Sequence, residues 1–249
     1  MKTEWDYTEL AEAYLKRPKY AGDAIDELCK LSGVTPGQIV CDVGAGVAHL
    51  TIEFLDRGYS VHAVEPNDEM RKFGSQRTEN RENVKWFEGV GEETGQPSDY
   101  FDLVTFGSSF NVTDRGKALL ETKRILKPNG WFACMWNHRD LNDPVQSKIE
   151  SIISSEIDDY GYGTRRESQT EFLESSNLFD HVHYIEGTIV HEQEKSEIVE
   201  AWRSHGTLHR QAGDKFSVII EKIEEYLNSL EKKSIATPYQ TRMWAAQLK

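Results

Sequence analysis

Residues 40–46 (VCDVGAG) constrain the fold of this chain more than any other segment. An apolar strand pattern ends there in Asp42 and two glycines, Gly44 and Gly46, and a second acidic residue, Glu65, closes the next apolar run 21 positions after Gly44. Glycines let backbone N–H groups approach a ligand closely, and the later carboxylate can accept hydrogen bonds from ribose hydroxyls. The spacing therefore predicts a βαβ unit that binds a nucleoside.

The length and charge of the chain limit its partners. With 249 residues it can form one large α/β domain, or one domain with a small cap. Its formal net charge of −13 disfavours a nucleic-acid partner, because proteins that grip phosphates usually present a basic face. No apolar stretch is long enough to span a bilayer, and the N-terminus lacks the apolar core of a secretory signal. We therefore expect a cytoplasmic protein that acts on a small molecule.

Cysteines and histidines form no pattern typical of a metal site. Cys29, Cys41 and Cys134 are widely spaced, which favours reduced, buried thiols over a disulfide or a zinc site. His205 and His209 would share one face of a helix, but no third ligand is evident nearby. We expect no metal.

Strand and helix patterns alternate through the first 140 residues. Strands are predicted over 38–43, 60–65, 83–88, 101–106 and 131–136, and helices over 48–57, from Pro66, and over 114–126. Residues 127–130 (KPNG) predict a turn into the fifth strand. Five strands with short helical links predict a parallel sheet covered on both faces, with the ligand at the carboxyl edge.

The remaining segments predict a cap over this edge. Helices are predicted over 4–32 with a break at Pro18, and over 145–157, 196–205 and 214–230; strands over 181–191 and 239–247; and a mobile loop over 160–166. The expected fold is α/β: a Rossmann-like, doubly wound, mainly parallel sheet with N-terminal helices and a C-terminal helical and strand cap. We predict one domain over 1–249, with a binding core over 33–140, cap elements over 1–32 and 141–233, and a last strand within 234–249.

The glycine spacing separates two kinds of nucleoside ligand. A dinucleotide fingerprint needs a third glycine at its sixth position, beneath the pyrophosphate, and His49 stands there instead. Asp42, two residues before Gly44, can orient the turn or hold a water near a cationic ligand. The pattern therefore disfavours a nicotinamide dinucleotide.

The chain resembles the class I S-adenosylmethionine-dependent methyltransferases of the small-molecule "type 11" group. The segments that carry the resemblance lie between residues 40 and 140, about two-fifths of the chain, and are 41–46 (CDVGAG), 63–70 (AVEPNDEM), 89–95 (GVGEETG), 126–130 (LKPNG) and 136–140 (WNHRD). Residues 14–20 (YLKRPKY) also resemble the leader of this group. The resemblance implies methyl transfer from S-adenosylmethionine to a small-molecule acceptor, with S-adenosylhomocysteine as product.

The resemblance also implies which residues hold the cofactor. Glu65 would bind the ribose, the glycine turn would pack along the methionine part, and Met70 would cover the adenine. The full implied set is Asp42, Gly44, Ala45, Gly46, Glu65, Pro66, Met70, Gly91, Glu92, Gly107 and Ser108.

Two positions depart from the family pattern. Val90 stands where an acidic residue often accepts from the adenine amine, and Glu92 or backbone carbonyls are the alternatives. Phe110, Asn111 and Val112 replace a common aromatic and histidine pair after the fourth strand. We therefore expect a more neutral floor in the active site.

The acceptor side is less well defined by sequence. Lining residues proposed there are Tyr14, Arg17, Asn111, Tyr160, Tyr162 and Trp202. His138, which follows the fifth strand on the ligand edge, is a candidate general base, with a structural histidine as the alternative. Competing functions are a nicotinamide-dependent oxidoreductase, a macromolecule methyltransferase, and a cofactor-binding protein without turnover.

Overall fold

The computed structural model describes residues 8–249, so the predicted helical residues 4–7 lie outside the described part of the chain. Within it, seven strands form one sheet. They are β1 (Ile39–Val43), β2 (Ser60–Val64), β3 (Val84–Phe87), β4 (Phe101–Gly107), β5 (Leu126–Arg139), β6 (Phe179–Glu194) and β7 (Ser234–Leu248).

Ten α-helices of the described residues flank the sheet. They are α1 (Ala11–Tyr14), α2 (Gly22–Ser32), α3 (His49–Asp56), α4 (Asp68–Arg77), α5 (Arg115–Ile125), α6 (Pro144–Glu156), α7 (Thr170–Ser175), α8 (Lys195–Arg203), α9 (Gly206–Ala212) and α10 (Phe216–Ser229). Short polar side chains cap the N-termini of α4, α5 and α6. Asn67 accepts from Met70 N, Asp114 from Lys117 N, and Asp143 from Val145 N. Among the described residues, no helix has the length and apolar character to cross a membrane.

The strand order is β3-β2-β1-β4-β5-β7-β6, and the first five strands run parallel while β7 is antiparallel to both of its neighbours. The predicted mainly parallel, doubly wound sheet is confirmed. Because the chain order reverses between β1 and β4, a crevice opens at the carboxyl ends of these two strands. This crevice positions the site described below.

The predicted turn at residues 127–130 forms a bulge within β5. Leu126 pairs with Phe101, but Trp131 already pairs with Leu103, so the partner strand advances two residues while β5 advances five. Asn129 has a φ of +62°, a left-handed conformation that asparagine tolerates. The turn therefore shifts the register without ending the strand. Helices α7 and α9 were not predicted; each has fewer than eight residues and too few turns for a clear period.

Hydrophobic side chains pack in three regions. Two clusters cover the two faces of the sheet, one around Phe106 and Phe132 and the other around Ile25 and Phe54. A third cluster, which joins α6, α8, α9 and α10, includes the fully buried Trp202. The cap therefore has a core of its own above the carboxyl edge.

Helix α2 packs closely on β6 at Gly187, and this contact gives a stability prediction. A Cβ added at Gly187 would lie 2.8 Å from Ala24 Cβ and 3.0 Å from Ala21 Cβ. We expect Gly187→Ala to lower the free energy of unfolding by about 1–3 kcal/mol, because neither methyl group can rotate away. Urea denaturation measures the change.

Gly116→Ala is the matched control for this substitution. Gly116 lies in α5, where an added Cβ meets no atom closer than 3.5 Å. Alanine there should raise the free energy of unfolding by about 0.5–1 kcal/mol through its higher helix propensity. Equal effects from the two substitutions would contradict the packing of α2 on Gly187.

Candidate functional site

A cavity of about 930 Å³ lies at the carboxyl ends of β1, β2, β4 and β5. The N-terminal segment, the loop after α6 and the start of α9 close it from the cap side. Every residue of the predicted cofactor set lines it: Asp42, Gly44, Ala45, Gly46, Glu65, Pro66, Met70, Gly91, Glu92, Gly107 and Ser108. The sheet thus brings together residues separated by up to 66 positions in the chain.

Gly44 allows the turn after β1 to pass close to the loop after β4. Its φ is +71°, and a Cβ there would lie 2.3 Å from Ser109 Cβ. Ser109 Oγ donates to the carbonyl of Val43 at 2.6 Å, and Gly44 N donates to the carbonyl of Val64 at 2.8 Å. Strands β1, β2 and β4 therefore converge on this turn, and only glycine fits there.

Glu65 joins the glycine turn to the end of β2. Its carboxylate is 7% exposed; one oxygen accepts from Gly46 N at 2.9 Å and the other from Asn67 N at 2.9 Å. Burial raises the pKa of Glu65 to about 7, although the two backbone N–H groups and Arg71 oppose this shift. Each oxygen keeps a second lone pair for a hydroxyl donor.

Asp42 adds a second buried carboxylate beside the turn. Thr51 Oγ1 donates to it at 2.6 Å, and Thr105 Oγ1 lies 3.4 Å from its other oxygen. Burial raises the pKa of Asp42 to about 6, against the effect of both hydroxyls. With Glu65 it makes this end of the cavity acidic, which suits a cationic ligand.

The opposite wall of this end combines apolar and polar groups. Met70, 3% exposed, and Pro66 supply apolar surface. Gly91 approaches Thr113 so closely that a Cβ would lie 2.7 Å from Thr113 Cγ2. The Glu92 carboxylate accepts from the backbone N of Asp114 and lines the cavity.

Tyr20 is a site residue that the sequence analysis missed. Its hydroxyl hydrogen-bonds Ser108 Oγ at 2.9 Å, and Ser108 takes a φ of +61° at the end of β4. A Cβ on Gly107 would lie 2.9 Å from the same hydroxyl. Only the leader resemblance over 14–20 pointed to this tyrosine; the contact joins segments 88 residues apart.

The predicted acceptor residues divide into two groups. Tyr14, Arg17, Asn111, Tyr162 and His138 line the cavity, with Asn111 held by a hydrogen bond from Trp136 Nε1 at 2.8 Å.

Tyr160 and Trp202 do not line the cavity. Trp202 is fully buried under Arg139, whose guanidinium carbon lies 3.9 Å from the indole centroid. Tyr160 packs edge-on against Tyr162, with 5.2 Å between the ring centroids. Both act as supports for residues that reach the cavity.

The acceptor side of the cavity carries positive charge that the sequence analysis did not predict. Four arginines line the acceptor side: Arg17, Arg139, Arg165 and Arg166. Residues 160–166, predicted as a loop, include a short 3₁₀ helix, Gly163–Arg166, that contributes two of them. In the sequence, the adjacent pair of arginines in an acidic chain was a sign of this positive charge. The position of the pair opposite β5 depends on long-range packing, which the sequence does not show.

His138 lies at the end of β5 as predicted, but its environment makes it a weak base. It is 4% exposed, and burial, followed by Arg166, Arg242 and Arg165, lowers its pKa to about 3. Its buried Nε2 has no hydrogen-bond partner among the described residues. The imidazole is therefore neutral at pH 7 and holds a proton poorly.

The other histidines do not assemble a metal site. His205 is buried at the start of α9, where its Nδ1 accepts from Leu208 N at 3.2 Å, whereas His209 is exposed. Over residues 8–249 the structure contains no group of three or more His, Cys, Asp or Glu placed to hold a metal ion.

The pKa of His138 gives a pH prediction. A histidine whose pKa falls on folding binds a proton more strongly in the unfolded chain than in the folded one. The free energy of unfolding therefore decreases as the pH falls below about 6.5, where the unfolded chain becomes protonated. We expect the His138 Hε1 chemical shift to stay constant from pH 8 to pH 5 in NMR titrations, with His138→Gln assigning the signal. A titration centred near 6.5 would contradict the buried, arginine-flanked position.

The cavity geometry agrees with comparisons with known proteins. A family model described as a methyltransferase domain matches residues 41–134. The chain is 31% identical over 150 residues to the ubiquinone/menaquinone biosynthesis C-methyltransferase UbiE of Vibrio campbellii, an alignment that covers 53% of this chain and 58% of that protein. The chain thus spans little more than half the length of this relative.

Solved structures of low sequence identity share the fold. The YcgJ protein of Bacillus subtilis superposes with a TM-score of 0.56 at 18% identity, covering 91% of this chain and 98% of that one. Phosphoethanolamine N-methyltransferase 2 of Haemonchus contortus gives a TM-score of 0.57 at 16% identity, covering 96% and 56%. Residues 41–134 thus match a methyltransferase domain, and the whole chain shares its fold with these solved structures.

Proposed function

We propose that this protein transfers a methyl group from S-adenosylmethionine to a small-molecule acceptor. The observation that carries the proposal is the Glu65 carboxylate, which lines the cavity while it holds the glycine turn. The C-methyltransferase name of the Vibrio campbellii relative and the S-adenosylhomocysteine named in the Haemonchus contortus structure support it. The acidic charge of the chain favours a small acceptor over nucleic acid.

The residues present fit this cofactor. A Cβ on Gly46 would meet no atom within 4 Å, so the turn faces open space at the cavity. Glu65 would accept from the ribose hydroxyls, and Met70 with Pro66 would pack on the adenine. Asp42 and Glu65 would balance the positive charges of the sulfonium and the ammonium group.

Alignment and exclusion of water are the main tasks of the protein. When bound, S-adenosylmethionine supplies a methyl group on a sulfonium that is already a good leaving group. The N-terminal segment around Arg17, the loop after α6 and the start of α9 would cover the acceptor, while Asn111 and Tyr20 fix the floor at the end of β4. Orientation of this kind can lower a barrier by about 7–11 kcal/mol.

The nicotinamide alternative fits the turn less well. His49 begins α3 where a dinucleotide site needs its third glycine, and its Nε2 lies 2.9 Å from the carbonyl of Tyr14. A histidine therefore stands where the dinucleotide fingerprint has a glycine for close packing of the helix against the strand.

Calorimetry and a labelled-methyl assay test the proposed function. S-adenosylhomocysteine should bind the purified protein, and NADH should not. Labelled S-adenosylmethionine with a panel of small acceptors then separates an enzyme from a binding protein without turnover. No heat with S-adenosylhomocysteine, together with tight NADH binding, would refute the proposal.

Glu65→Gln should weaken cofactor binding specifically. The amide keeps the shape of the side chain but removes the charge that strengthens hydrogen bonds from hydroxyls, worth about 1.5–3 kcal/mol. We expect the Kd for S-adenosylhomocysteine to rise about 10- to 100-fold. Glu93→Gln, at an exposed position near the same cavity, is the control and should leave the Kd unchanged. An unchanged Kd in Glu65→Gln would place the ribose elsewhere.

A further inference from the structure

The acceptor side of the cavity holds an unusual concentration of positive charge. Arg139 follows β5, Arg165 and Arg166 come from the 3₁₀ segment after α6, and Arg17 comes from the N-terminal segment. The chain has 42 acidic residues against 29 basic ones, so carboxylates are abundant elsewhere on the molecule. Among the side chains that the structure describes, no carboxylate lies within ion-pair distance of these four guanidiniums.

Six other arginines of the described chain differ in this respect, whereas Arg77 and Arg115 donate to the carbonyl of Val47 and to Gln169 Oε1 instead of a carboxylate. Those at positions 57, 71, 81, 124, 203 and 242 each have a carboxylate oxygen within 4.0 Å. The carboxylate that influences Arg166 most is Glu150, and it is engaged by the hydroxyl of Tyr162. Arg17 donates to the carbonyl of Ser204 and Arg165 to His205 Nε2, but neutral acceptors do not balance the charge. Half-buried positive charges without a carboxylate partner are costly unless a ligand neutralises them.

Aromatic rings hold the cavity arginines in place. Arg139 lies 3.9 Å over Trp202, and Arg166 and Arg165 lie 3.9 and 4.9 Å from the centroid of Tyr162. Stacking covers the flat face of a guanidinium and leaves its edge N–H groups accessible. One edge nitrogen of Arg165 donates to His205 Nε2 at 3.0 Å, whereas the edge N–H groups of Arg166 have no acceptor among the described residues and can donate as a fork. A fork of this kind matches the two oxygens of a carboxylate or phosphate.

Neighbouring polar atoms also lack partners. The Nε atoms of Arg165 and Arg166, and His138 Nε2, are buried without a hydrogen bond among the described residues. Burial lowers the pKa of Arg165 to about 10, with Arg17 and Arg139 adding to the shift, yet the group stays charged at pH 7. The cluster therefore has unused donors beside a cavity-lining imidazole.

The sheet separates this cluster from the cofactor residues. Glu65 follows β2, Asp42 lies in β1, and Arg139 ends β5, with β4 between β1 and β5. Since adjacent strands lie about 4.8 Å apart, β2 and β5 are separated by about 14 Å. One end of the cavity is acidic and the other basic.

We propose that the methyl acceptor carries an oxyanion group, a carboxylate or a phosphate, which Arg139, Arg165 and Arg166 bind at the β5 end of the cavity. This inference rests on the proposed function for its link to methyl transfer, but the anion site itself does not. The anion would neutralise the cluster and orient the rest of the acceptor toward the glycine turn. The Nε2 atom of the neutral His138 imidazole would contact the anion.

Ligand titrations followed by thermal unfolding test the proposal. The probes are benzoate, phenyl phosphate and the neutral benzamide, at constant ionic strength and with saturating S-adenosylhomocysteine. We expect benzoate, phenyl phosphate or both to raise the Tm of the wild type, and benzamide to leave it unchanged. Benzoate alone would identify a carboxylate acceptor, and phenyl phosphate alone a phosphate acceptor.

Substitutions on two separate elements locate the anion. Arg139→Gln and Arg166→Gln should each raise the Kd of the active anion at least about tenfold, while Arg166→Lys, which keeps the charge but loses the fork, should give a smaller increase. Arg203→Gln, a surface arginine paired with Glu200, is the control and should bind as the wild type does. The Kd for S-adenosylhomocysteine should stay within about twofold in all four variants.

The outcomes separate the two proposals. If S-adenosylhomocysteine does not bind the wild type, the proposed function fails. The same anion titrations, carried out without S-adenosylhomocysteine, then still test whether the arginines bind an anion. Equal anion affinity in wild type, Arg139→Gln and Arg166→Gln would overturn the anion site. So would binding of benzamide as tight as that of benzoate, or the absence of any anion effect on a protein that binds S-adenosylhomocysteine.

Discussion

The site depends on one carboxylate that joins two strand ends. Glu65 accepts from the N–H of Gly46 on one oxygen and from the N–H of Asn67 on the other, so the turn after β1 and the loop after β2 are held at a fixed distance. The same loop places the Asn67 cap on α4, which brings Met70 to the cavity. A buried acid with a pKa near 7 thus serves the fold while keeping lone pairs for a ligand.

The cavity next to Glu65 has an acidic end and a basic end. Asp42 and Glu65 lie on the side of β1 and β2, where a sulfonium cofactor would bring positive charge. The arginines stand beyond β4, held on Trp202 and Tyr162 by packing within the cap. Strand order sets the distance between Glu65 and Arg139, because the reversal between β1 and β4 places the ends of β2 and β5 on one edge, and cap packing adds Arg165 and Arg166 beside Arg139.

Local patterns predicted which residues meet at the β1 and β2 end of the cavity. Strand periodicity, two glycines and an acid at the right spacing describe contacts between residues about 20 positions apart, and the structure places Gly44, Gly46 and Glu65 together as expected. The bulge at residues 127–130 was recognised as a turn, but its effect on the register of β5 depends on pairing with β4.

The acceptor half depends on contacts that sequence spacing does not encode. Arg139 reaches Trp202 across 63 residues, and the pKa of His138 depends on arginines from two other segments. From the sequence, a histidine that follows a strand is a candidate base because of its residue type alone. In the structure, burial beside positively charged arginines lowers its pKa and makes it a weak base. The positive charge of this half was missed for the same reason: the absence of the family histidine after β4 was visible in the sequence, but the packing that brings the arginines to the cavity was not.

Proton release on cofactor binding tests the central role of Glu65 most directly. Burial raises the pKa of this carboxyl to about 7, so near neutral pH the empty site holds it partly protonated, and ribose hydroxyls favour the ionised acceptor. Calorimetric titration of S-adenosylhomocysteine in two buffers of different ionisation enthalpy should therefore show net proton release at pH 7 that is lost in Glu65→Gln. Proton uptake, or no exchange, on binding to the wild type would contradict the account.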